Sequence, residues 1–294
     1  MKSSKQDRAF DIVNYSILAV ALFILFYPLY FVVISSISDP ALVNTGRITW
    51  YPRRINFDGY DKVFSDDSLL TGYKNTFLYT TVGILVNVSI TLLAGYALSR
   101  KDLKGRSLIS KLMVFTMLFQ GGLIPLYIVV KQLGLLDTFM AMILPTAVAV
   151  WNVIVARTFF QATIPDELLD ASRVDGCTNR RFFFSIVLPT SQALIAVQVL
   201  FYGVFHWNSF FQALIFLYDP DRYPLQLVLR EILIRQQMSQ MMQTTDPREL
   251  AELEILAELI KYAAIIVSSI PILLLYPFVQ RYFVSGVMIG AIKG

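Results

Sequence analysis

The sequence contains little charge for its length. Of its 294 residues only 16% are Asp, Glu, Lys or Arg, whereas soluble globular proteins carry about 25%. The charge is also unevenly placed, because six long stretches contain none. These stretches are 12–38, 75–99, 112–130, 138–156, 182–218 and 262–280. Six uncharged core helices would need a far larger charged shell than this chain has, which argues against a soluble protein.

Each uncharged stretch is long enough, or nearly so, to cross a membrane as a helix. About 20 residues, each rising about 1.5 Å, span the hydrocarbon core, and the shortest stretch has 19. Isolated strands would leave backbone groups unpaired in lipid, and the alternating segments of outer-membrane barrels are absent. The first stretch is too long for the apolar part of a cleavable signal peptide. The sequence predicts an all-α integral membrane protein with six transmembrane helices.

The positions of Lys and Arg near these stretches predict how the chain is oriented in the cell membrane. The N-terminal tail carries Lys2, Lys5 and Arg8, and the loop after the second stretch is strongly basic. Both termini and the segment 157–187 are therefore predicted to be cytoplasmic, and the segments 35–74 and 219–261 extracytoplasmic. The net charge of +4 reflects this topology and does not indicate nucleic-acid binding, since no basic–aromatic stripe appears.

Several kinds of chemistry are absent from the sequence. A single cysteine, Cys177, excludes an internal disulfide, and a single histidine, His206, argues against His/Cys metal sites and Ser–His or Cys–His nucleophiles. No P-loop pattern is present, so the chain cannot hydrolyse ATP by a P-loop of its own. The uncharged stretches lack the acidic groups of ion-coupled carriers. We expect no catalytic residue, metal or cofactor in this chain, and an energy source in a partner.

The segment between the fourth and fifth stretches predicts two short helices. Pro165 suits a first helical position, and the acidic pair Asp166 and Glu167 suits the positive end of a helix. Gly176 can adopt the left-handed conformation that ends a helix. A second helix is expected from about Asn179, before Pro189 restarts the chain into the next span.

The first of these two helices presents small residues between charged flanks. Ala171 and Ser172 would let another protein approach closely, and Arg173 could pair with acidic groups on it. Arg180 and Arg181 could do the same from the second helix. The alternative is an ordinary amphipathic loop helix with solvated charges. Composition leaves both interpretations open.

The spacing within this segment resembles the signature loop of ABC importer permeases. That loop reads Glu-Ala-Ala, three residues, Gly, nine residues, Ile, one residue, Leu-Pro. This chain has Asp170-Ala171-Ser172, Gly176, Ile186 and Leu188-Pro189 with every interval kept. Asp170 replaces Glu and Ser172 replaces the second Ala, which preserves charge sign and small size. The resemblance implies a type I ABC importer permease fold, one transmembrane domain over 1–294 with a family core at about 72–283.

Other stretches are similar to the carbohydrate-uptake branch of that family. The third-span region resembles that of carbohydrate-uptake permeases, and the C-terminal tail resembles that of the maltose-type second permease. One outer stretch resembles a subgroup that imports complex oligosaccharides. The third-span stretches are 121–125 and 133–138, the tail stretches are 280–286 and 290–294, and the outer stretches are 223–227 and 230–233. The resemblance implies a permease subunit that imports a sugar, expected to be an oligosaccharide, by alternating access. A non-sugar solute, a self-sufficient carrier or an intramembrane enzyme remain the alternatives.

The resemblance also implies partners and a coupling site. A cytoplasmic ABC ATPase dimer would hold ATP and Mg, a second permease subunit is expected to be a different chain, and an extracytoplasmic solute-binding protein would meet 35–74 and 219–261. The cytoplasmic tail is 284–294, and its last part, 287–294, would reach toward the ATPase. The residues implied in coupling are Glu167, Asp170, Ala171, Ser172, Arg173, Asp175, Gly176, Leu188 and Pro189.

Sugar-binding side chains are proposed from their chemistry alone. Aromatic faces and amide or hydroxyl groups bind sugars, and the uncharged stretches offer Gln120, Trp151, Asn152, Tyr202, His206, Trp207 and Asn208. Polar groups such as His206 and Asn208 are costly in lipid and should face protein or a cavity. The alternative for the aromatic members is an interfacial belt at the membrane surface.

Overall fold

The computed structural model describes residues 5–242, 260–274 and 277. Every regular element within these residues is helical, which confirms the all-α prediction there. The tail 284–294, the motifs at 280–286 and 290–294, and residues 243–259 of the outer segment lie outside the described residues. The α-helices are α1 (Lys5–Ser36), α2 (Pro40–Asn44), α3 (Asp58–Phe64), α4 (Asp67–Ser99), α5 (Arg106–Leu118), α6 (Leu123–Gln132), α7 (Val150–Thr163), α8 (Asp166–Val174), α9 (Asn179–Phe182), α10 (Leu188–Thr190), α11 (Gln192–Trp207), α12 (Phe210–Phe216), α13 (Leu225–Met242) and α14 (Ile260–Leu274).

Two of these helices are long and apolar enough to cross a membrane unbroken. They are Phe10–Ser36 within α1, and α4, and they correspond to the first two uncharged stretches. α4 begins eight residues before its uncharged stretch, because the polar residues after Asp67 continue the same helix. Asp67 lies in its first turn, where a negative charge meets the positive end of the helix dipole.

The next three uncharged stretches form bent helix pairs instead of straight helices. α5 and α6 are bent by 115°, and the helical segment 179–190 and α11 by 80°. The short 3₁₀ segment Phe139–Thr146 is bent by 53° from α7. Local sequence explains the breaks: Gly122 has a φ of +85° after α5, while Pro145 and Pro189 lie close to the other two. The absence of charged residues along each stretch did not indicate where its helix would break.

The described residues divide between two compact units, one formed from 1–67 with 229–270 and the other from 68–228 with 271–294. In the first, Ile34, Val43 and Ile48 form a small core with Tyr262 packed against it. Most of α1 stays exposed. An apolar helix with so little protein around it fits a lipid environment.

The second unit has a hydrophobic core where α4, α7, α9 and α11 meet. Phe160, Phe182, Val187 and Leu194 are buried there. The same unit includes α8, both flanking loops and the bent pairs. Every predicted coupling residue and every predicted sugar-path residue therefore lies in one compact unit.

The loop that follows α12 in the second unit is held in place by hydrogen bonds. The Asp137 carboxylate accepts from the backbone N–H groups of Tyr218 (3.0 Å) and Asp219 (3.1 Å), which keeps the pKa of Asp137 below its usual range. The Asn75 amide donates to the carbonyl of Tyr223 at 3.1 Å. The Asp137 bonds hold the start of this loop, and the Asn75 bond ties the loop to α4.

Candidate functional site

The helix with the small-residue surface forms as its local sequence predicts. α8 is a nine-residue helix that begins at Asp166, one position later than expected, and Pro165 forms its extended N-cap. Gly176 has a φ of +72°, so it takes the predicted left-handed conformation. The Cys177 N–H then donates to the Ser172 carbonyl at 2.9 Å and closes the helix end.

One face of α8 is open to solvent. Glu167, Asp170, Ala171 and Val174 are exposed, and their spacing of three and four residues places them on one side of the helix. Val174 is 88% exposed, so this face offers an apolar side chain beside its carboxylates. Ser172 was expected on this face, but it is buried, and its hydroxyl donates to the Leu169 carbonyl.

Both ends of α8 are tied to the loop that follows α4. Lys101 Nζ lies 2.6 Å from an Asp166 carboxylate oxygen at the start of the helix. Arg173 Nη2 lies 2.8 Å from Asp102 Oδ2 near its end. Arg173 was expected to face a partner protein, but in this chain it pairs with Asp102 and more weakly with Asp170 at 3.5 Å.

Asp102 joins two arginines. Its carboxylate lies 2.5 Å from Arg100 and 2.8 Å from Arg173. These hydrogen bonds, the one from Arg100 above all, lower the pKa of Asp102 far below its usual range. Arg100 also donates to the Tyr96 hydroxyl and to the Asn179 side chain, both at 3.1 Å. The loop thus connects α4, α8 and α9.

Sequence reasoning missed Arg100, Lys101 and Asp102 as parts of this site. A weak signal was present, because Asp102 is the single acidic residue in a loop rich in Lys and Arg. A cavity of about 290 Å³ separates part of α8 from the ends of α4 and α7, with Tyr96, Phe160 and Leu169 among its lining. The cavity leaves part of α8 without packing contacts on that side. The ion pairs at its two ends therefore help to hold the helix in place.

A second polar region lies inside the unit. α11 places Gln198, Tyr202 and His206 on one side at intervals of four residues, and all three are buried. His206 Nε2 lies 3.2 Å from the Asn87 amide nitrogen, and the Tyr202 hydroxyl 2.7 Å from that of Thr91. Gln198 donates to the Asn152 carbonyl at 3.2 Å. We call Asn87, Thr91, Gln198, Tyr202 and His206 the buried polar cluster.

The buried polar cluster depends on a glycine in α4. A Cβ added at Gly83 would lie 2.3 Å from His206 Nε2, far closer than any real contact. The amide of Asn87 also donates to the Thr146 carbonyl at 3.0 Å, beside the break before α7. The sequence signal for the cluster was the four-residue spacing of polar groups in an apolar helix, but Asn87, Thr91 and Gln198 were missed.

The seven predicted sugar-path residues do not form one surface. Asn152, Tyr202, His206 and Trp207 are buried, and the contacts of Tyr202 and His206 show a role in joining helices. Gln120, Trp151 and Asn208 are exposed, and the Asn208 amide donates to the Val204 carbonyl within its own helix. Among the described residues, no three His, Cys, Asp or Glu side chains come together as a metal site would require.

Comparison with known proteins decides what kind of molecule this is. Residues 1–289 match the family described as "Binding-protein-dependent transport system inner membrane component". The chain belongs to this family. It is therefore a permease subunit of an ABC transporter, an inner membrane component that works with a solute-binding protein, and it is not an enzyme. The resemblance seen in the 170–189 spacing is confirmed.

Relatives of similar length are named for the transport of polysaccharides or oligosaccharides. The polygalacturonan/rhamnogalacturonan transport system permease protein YtcP of Bacillus subtilis is 38% identical, over 98% of this chain and 100% of that protein. The arabinooligosaccharides transport system permease protein AraQ of Halalkalibacterium halodurans is 28% identical, over 92% of each.

A solved structure shares the fold closely. A chain from the crystal structure of a bacterial ABC transporter involved in the import of the acidic polysaccharide alginate has a TM-score of 0.84. It is 29% identical, and the match covers 96% of this chain and 99% of that one. A chain from an alginate transporter in complex with an alginate pentasaccharide-bound periplasmic protein has a TM-score of 0.57 at 18% identity. The ABC importer permease fold is thus confirmed.

Proposed function

We propose that this chain is the membrane-spanning subunit of an ATP-driven importer that carries an oligosaccharide into the cytoplasm. The observation that carries the proposal is the match, over almost the whole chain, to permeases named for the transport of polysaccharides or oligosaccharides, together with the fold shared with an alginate importer. A non-sugar solute is the second candidate, because family membership alone does not specify the cargo.

The proposal includes six membrane spans. α1 and α4 supply two, each bent pair supplies one, and α14 belongs to the sixth. The basic loop after α4 and the N-terminal tail then lie in the cytoplasm, as does the C-terminal tail 284–294. The whole of 1–294 forms one permease, with its family core at about 72–283 and with the segments 35–74 and 219–261 outside, where the solute-binding protein docks.

The exposed face of α8 is the proposed contact with the cytoplasmic ATPase dimer, which binds ATP and Mg. Glu167, Asp170 and Val174 offer two carboxylates and an apolar side chain around the small Ala171. The remaining predicted coupling residues act beside them: Ser172 and Gly176 shape the helix, Arg173 ties it to Asp102, and Asp175, Leu188 and Pro189 flank it. Alternating access follows when ATPase closure moves α8 together with the loop after α4.

The coupling proposal is tested by crowding the exposed face of α8. Ala171→Arg places a long side chain where we expect the ATPase, and Ala162→Arg is the matched control at an exposed position just before α8. In membranes that also contain the second permease and the ATPase, tagged Ala171→Arg should no longer retain the ATPase, whereas Ala162→Arg should. Equal retention by both variants contradicts the assignment of this face.

The transport proposal is tested by reconstituting the complex in vesicles. ATP-dependent uptake of radiolabelled arabino- or galacturono-oligosaccharides, delivered by the solute-binding protein, is the expected result. Uptake by this chain alone, without any ATPase, contradicts the proposal and favours a self-sufficient carrier. Robust ATP-dependent uptake of a non-sugar solute, with none of the sugars tried, favours the second candidate.

A further inference from the structure

We propose that the cavity behind α8 binds the phosphate group of an anionic membrane lipid, held by Arg106 of α5 and Arg157 of α7. The inference rests on the proposed function, since that proposal places the loop after α4 at the cytoplasmic face of the membrane. A bound headgroup fills the space between α8 and the ends of α4 and α7. It thereby supports the coupling helix on the side that lacks packing contacts.

The charges around the cavity do not balance. Three cationic side chains line it, against the single carboxylate of Asp166. Lys101 already pairs with Asp166 at 2.6 Å, and Arg100 with Asp102 at 2.5 Å. Arg106 pairs with no carboxylate among the described residues, and its Nη1 makes long bonds of 3.3 Å to two backbone carbonyls. One positive charge at the cavity therefore has no counter-ion within the described part of the chain.

A second arginine lies beside the cavity. Arg157 Nη1 donates to the Ser110 hydroxyl at 3.2 Å, while its Nε is buried and has no acceptor among the described residues. Ser110 lies one turn after Arg106 on α5, and Gln161, which lines the cavity, lies one turn after Arg157 on α7. Arg157 is therefore about 6 Å from the cavity lining along α7. It too pairs with no described carboxylate.

A phosphate group suits these two arginines. A guanidinium can bind two phosphate oxygens at once through parallel N–H groups, and a buried N–H without an acceptor is unfavourable. Arg106 and Arg157 both gain from an anionic oxygen acceptor between their helices. At about 290 Å³ the cavity is just below the usual range of small-molecule sites, about 300–1,000 Å³. It therefore has room for a headgroup but not for acyl chains.

The surface of α5 indicates that the phosphate belongs to a lipid and not to a soluble compound. No residue of α5 is buried, and Leu108, Leu112 and Phe115 are each more than half exposed. Their spacing of four and three residues forms an apolar row that begins two residues after Arg106. Acyl chains can lie along this row while the headgroup occupies the cavity. Basic pockets between transmembrane helices on the cytoplasmic side bind anionic headgroups in this manner.

Native mass spectrometry of the whole importer complex tests the site, because it counts bound lipids. The complex is delipidated in detergent and titrated with phosphatidylglycerol. Arg106→Gln and Arg157→Gln each remove one proposed contact, and Lys104→Gln is the matched control, an exposed cation of the same loop that does not line the cavity. We expect each arginine variant to bind one phosphatidylglycerol about tenfold more weakly, and Lys104→Gln to bind it unchanged. Equal binding by all three variants would overturn the site.

Two competitors identify the source of the phosphate. Glycerol 3-phosphate carries the phosphate without acyl chains, and phosphatidylcholine carries it without net negative charge. Neither should displace phosphatidylglycerol when present at the same concentration. Displacement by glycerol 3-phosphate would overturn the lipid assignment in favour of a soluble phosphate compound. Displacement by phosphatidylcholine would show that the negative charge of the headgroup is not recognised, and this too would overturn the inference.

Hydrogen exchange tests the position of the bound lipid. Phosphatidylglycerol should slow backbone exchange in α8 several-fold in the unaltered complex, and this slowing should be absent in Arg106→Gln. Unchanged exchange in α8 when the lipid is bound would overturn the placement behind this helix. Arg157→Gln provides an independent variant if Arg106→Gln fails to assemble.

This inference and the proposed function fail in different ways. Lipid binding requires no cargo, so a complex that imports only a non-sugar solute but binds phosphatidylglycerol through Arg106 contradicts the proposed cargo alone. A complex that imports sugar normally but binds the lipid equally well without either arginine leaves the importer proposal intact. That second result overturns the lipid site.

Discussion

The ion pairs around α8 and the buried polar cluster both connect helices of the second unit, but they lie in opposite surroundings. The side chains of Asp102 and Arg173 are 50% and 48% exposed. In the buried polar cluster, Asn87, Gln198 and His206 have no exposed surface. The first set uses full charges in contact with water, and the second uses neutral groups that water does not reach.

This difference indicates which connection is permanent. An exposed ion pair contributes about 0–1 kcal/mol, because water competes with it at little cost. Losing one partner of a buried hydrogen bond leaves the other unsatisfied and costs about 1–3 kcal/mol. α8 can therefore shift more easily than α4 and α11, which stay fixed to each other. Such a division suits the coupling role proposed for α8.

The largest effect is expected from Gly83→Ala. The new methyl group would overlap His206, and overpacking of this kind costs about 1–3 kcal/mol or more. Thermal unfolding of the purified complex should therefore begin at clearly lower temperature. Gly203→Ala is the matched control, since its Cβ would lie 3.4 Å from Ile84, an ordinary contact.

A double variant of Gly83 and His206 shows whether contact with His206 causes the loss of stability in Gly83→Ala. If the clash with the imidazole dominates, Gly83→Ala with His206→Ala should lose less stability than the two single losses added together. Strict additivity would place the cost elsewhere, and a Gly83→Ala complex as stable as the unaltered one would contradict the described packing.

The next effect concerns Asn87. Asn87→Leu removes the hydrogen bonds to His206 and to the Thr146 carbonyl, so we expect a loss of about 1–3 kcal/mol. Asn208→Leu is the comparison, because that amide bonds only within its own helix at an exposed position, and its effect should stay within about 0.5 kcal/mol. Equal losses of stability in the two variants, measured by chemical or thermal unfolding, would show that the buried amide stabilises the protein no more than the exposed one.

The contrast also explains what the sequence could predict. α8 followed from local signals, namely acidic residues at its start and Gly176 at its end, and its family spacing lies within 20 residues. The contacts that hold α8 in place did not follow from local signals, since Asp102 and Arg173 are 71 positions apart. Asn87 and His206 are 119 apart. Neither composition nor helical periodicity indicates which distant polar groups meet, and uniform hydropathy conceals breaks such as Gly122.

A smaller effect on stability, but a clear one on coupling, is expected from Asp102→Asn. The Asp102 side chain is itself half exposed and its pair with Arg173 is open to water, so stability should fall by about 1 kcal/mol. Because Asp102 joins α8 to the loop after α4, ATPase activity stimulated by the solute-binding protein should fall several-fold, and high salt should have a similar effect on the unaltered complex. Asp11→Asn, at an exposed position in α1, should change neither. Undiminished stimulation of ATPase activity in Asp102→Asn would show that the ion pairs of Asp102 are not needed at α8.

The smallest effect is the pH dependence of the same carboxylate. Arg100 first, and then Arg173, keep the pKa of Asp102 below its unfolded value of about 3.8. The contribution of Asp102 to stability is therefore complete above that unfolded pKa and is lost as pH falls through the lower folded pKa. Unaltered and Asp102→Asn complexes should differ by the same small amount from about pH 7 to about pH 5, and this difference should shrink below about pH 4. Other carboxylates titrate in both complexes, so comparing their melting temperatures isolates Asp102. A difference that disappears already near pH 6 would mean that this carboxylate is not held by its arginines.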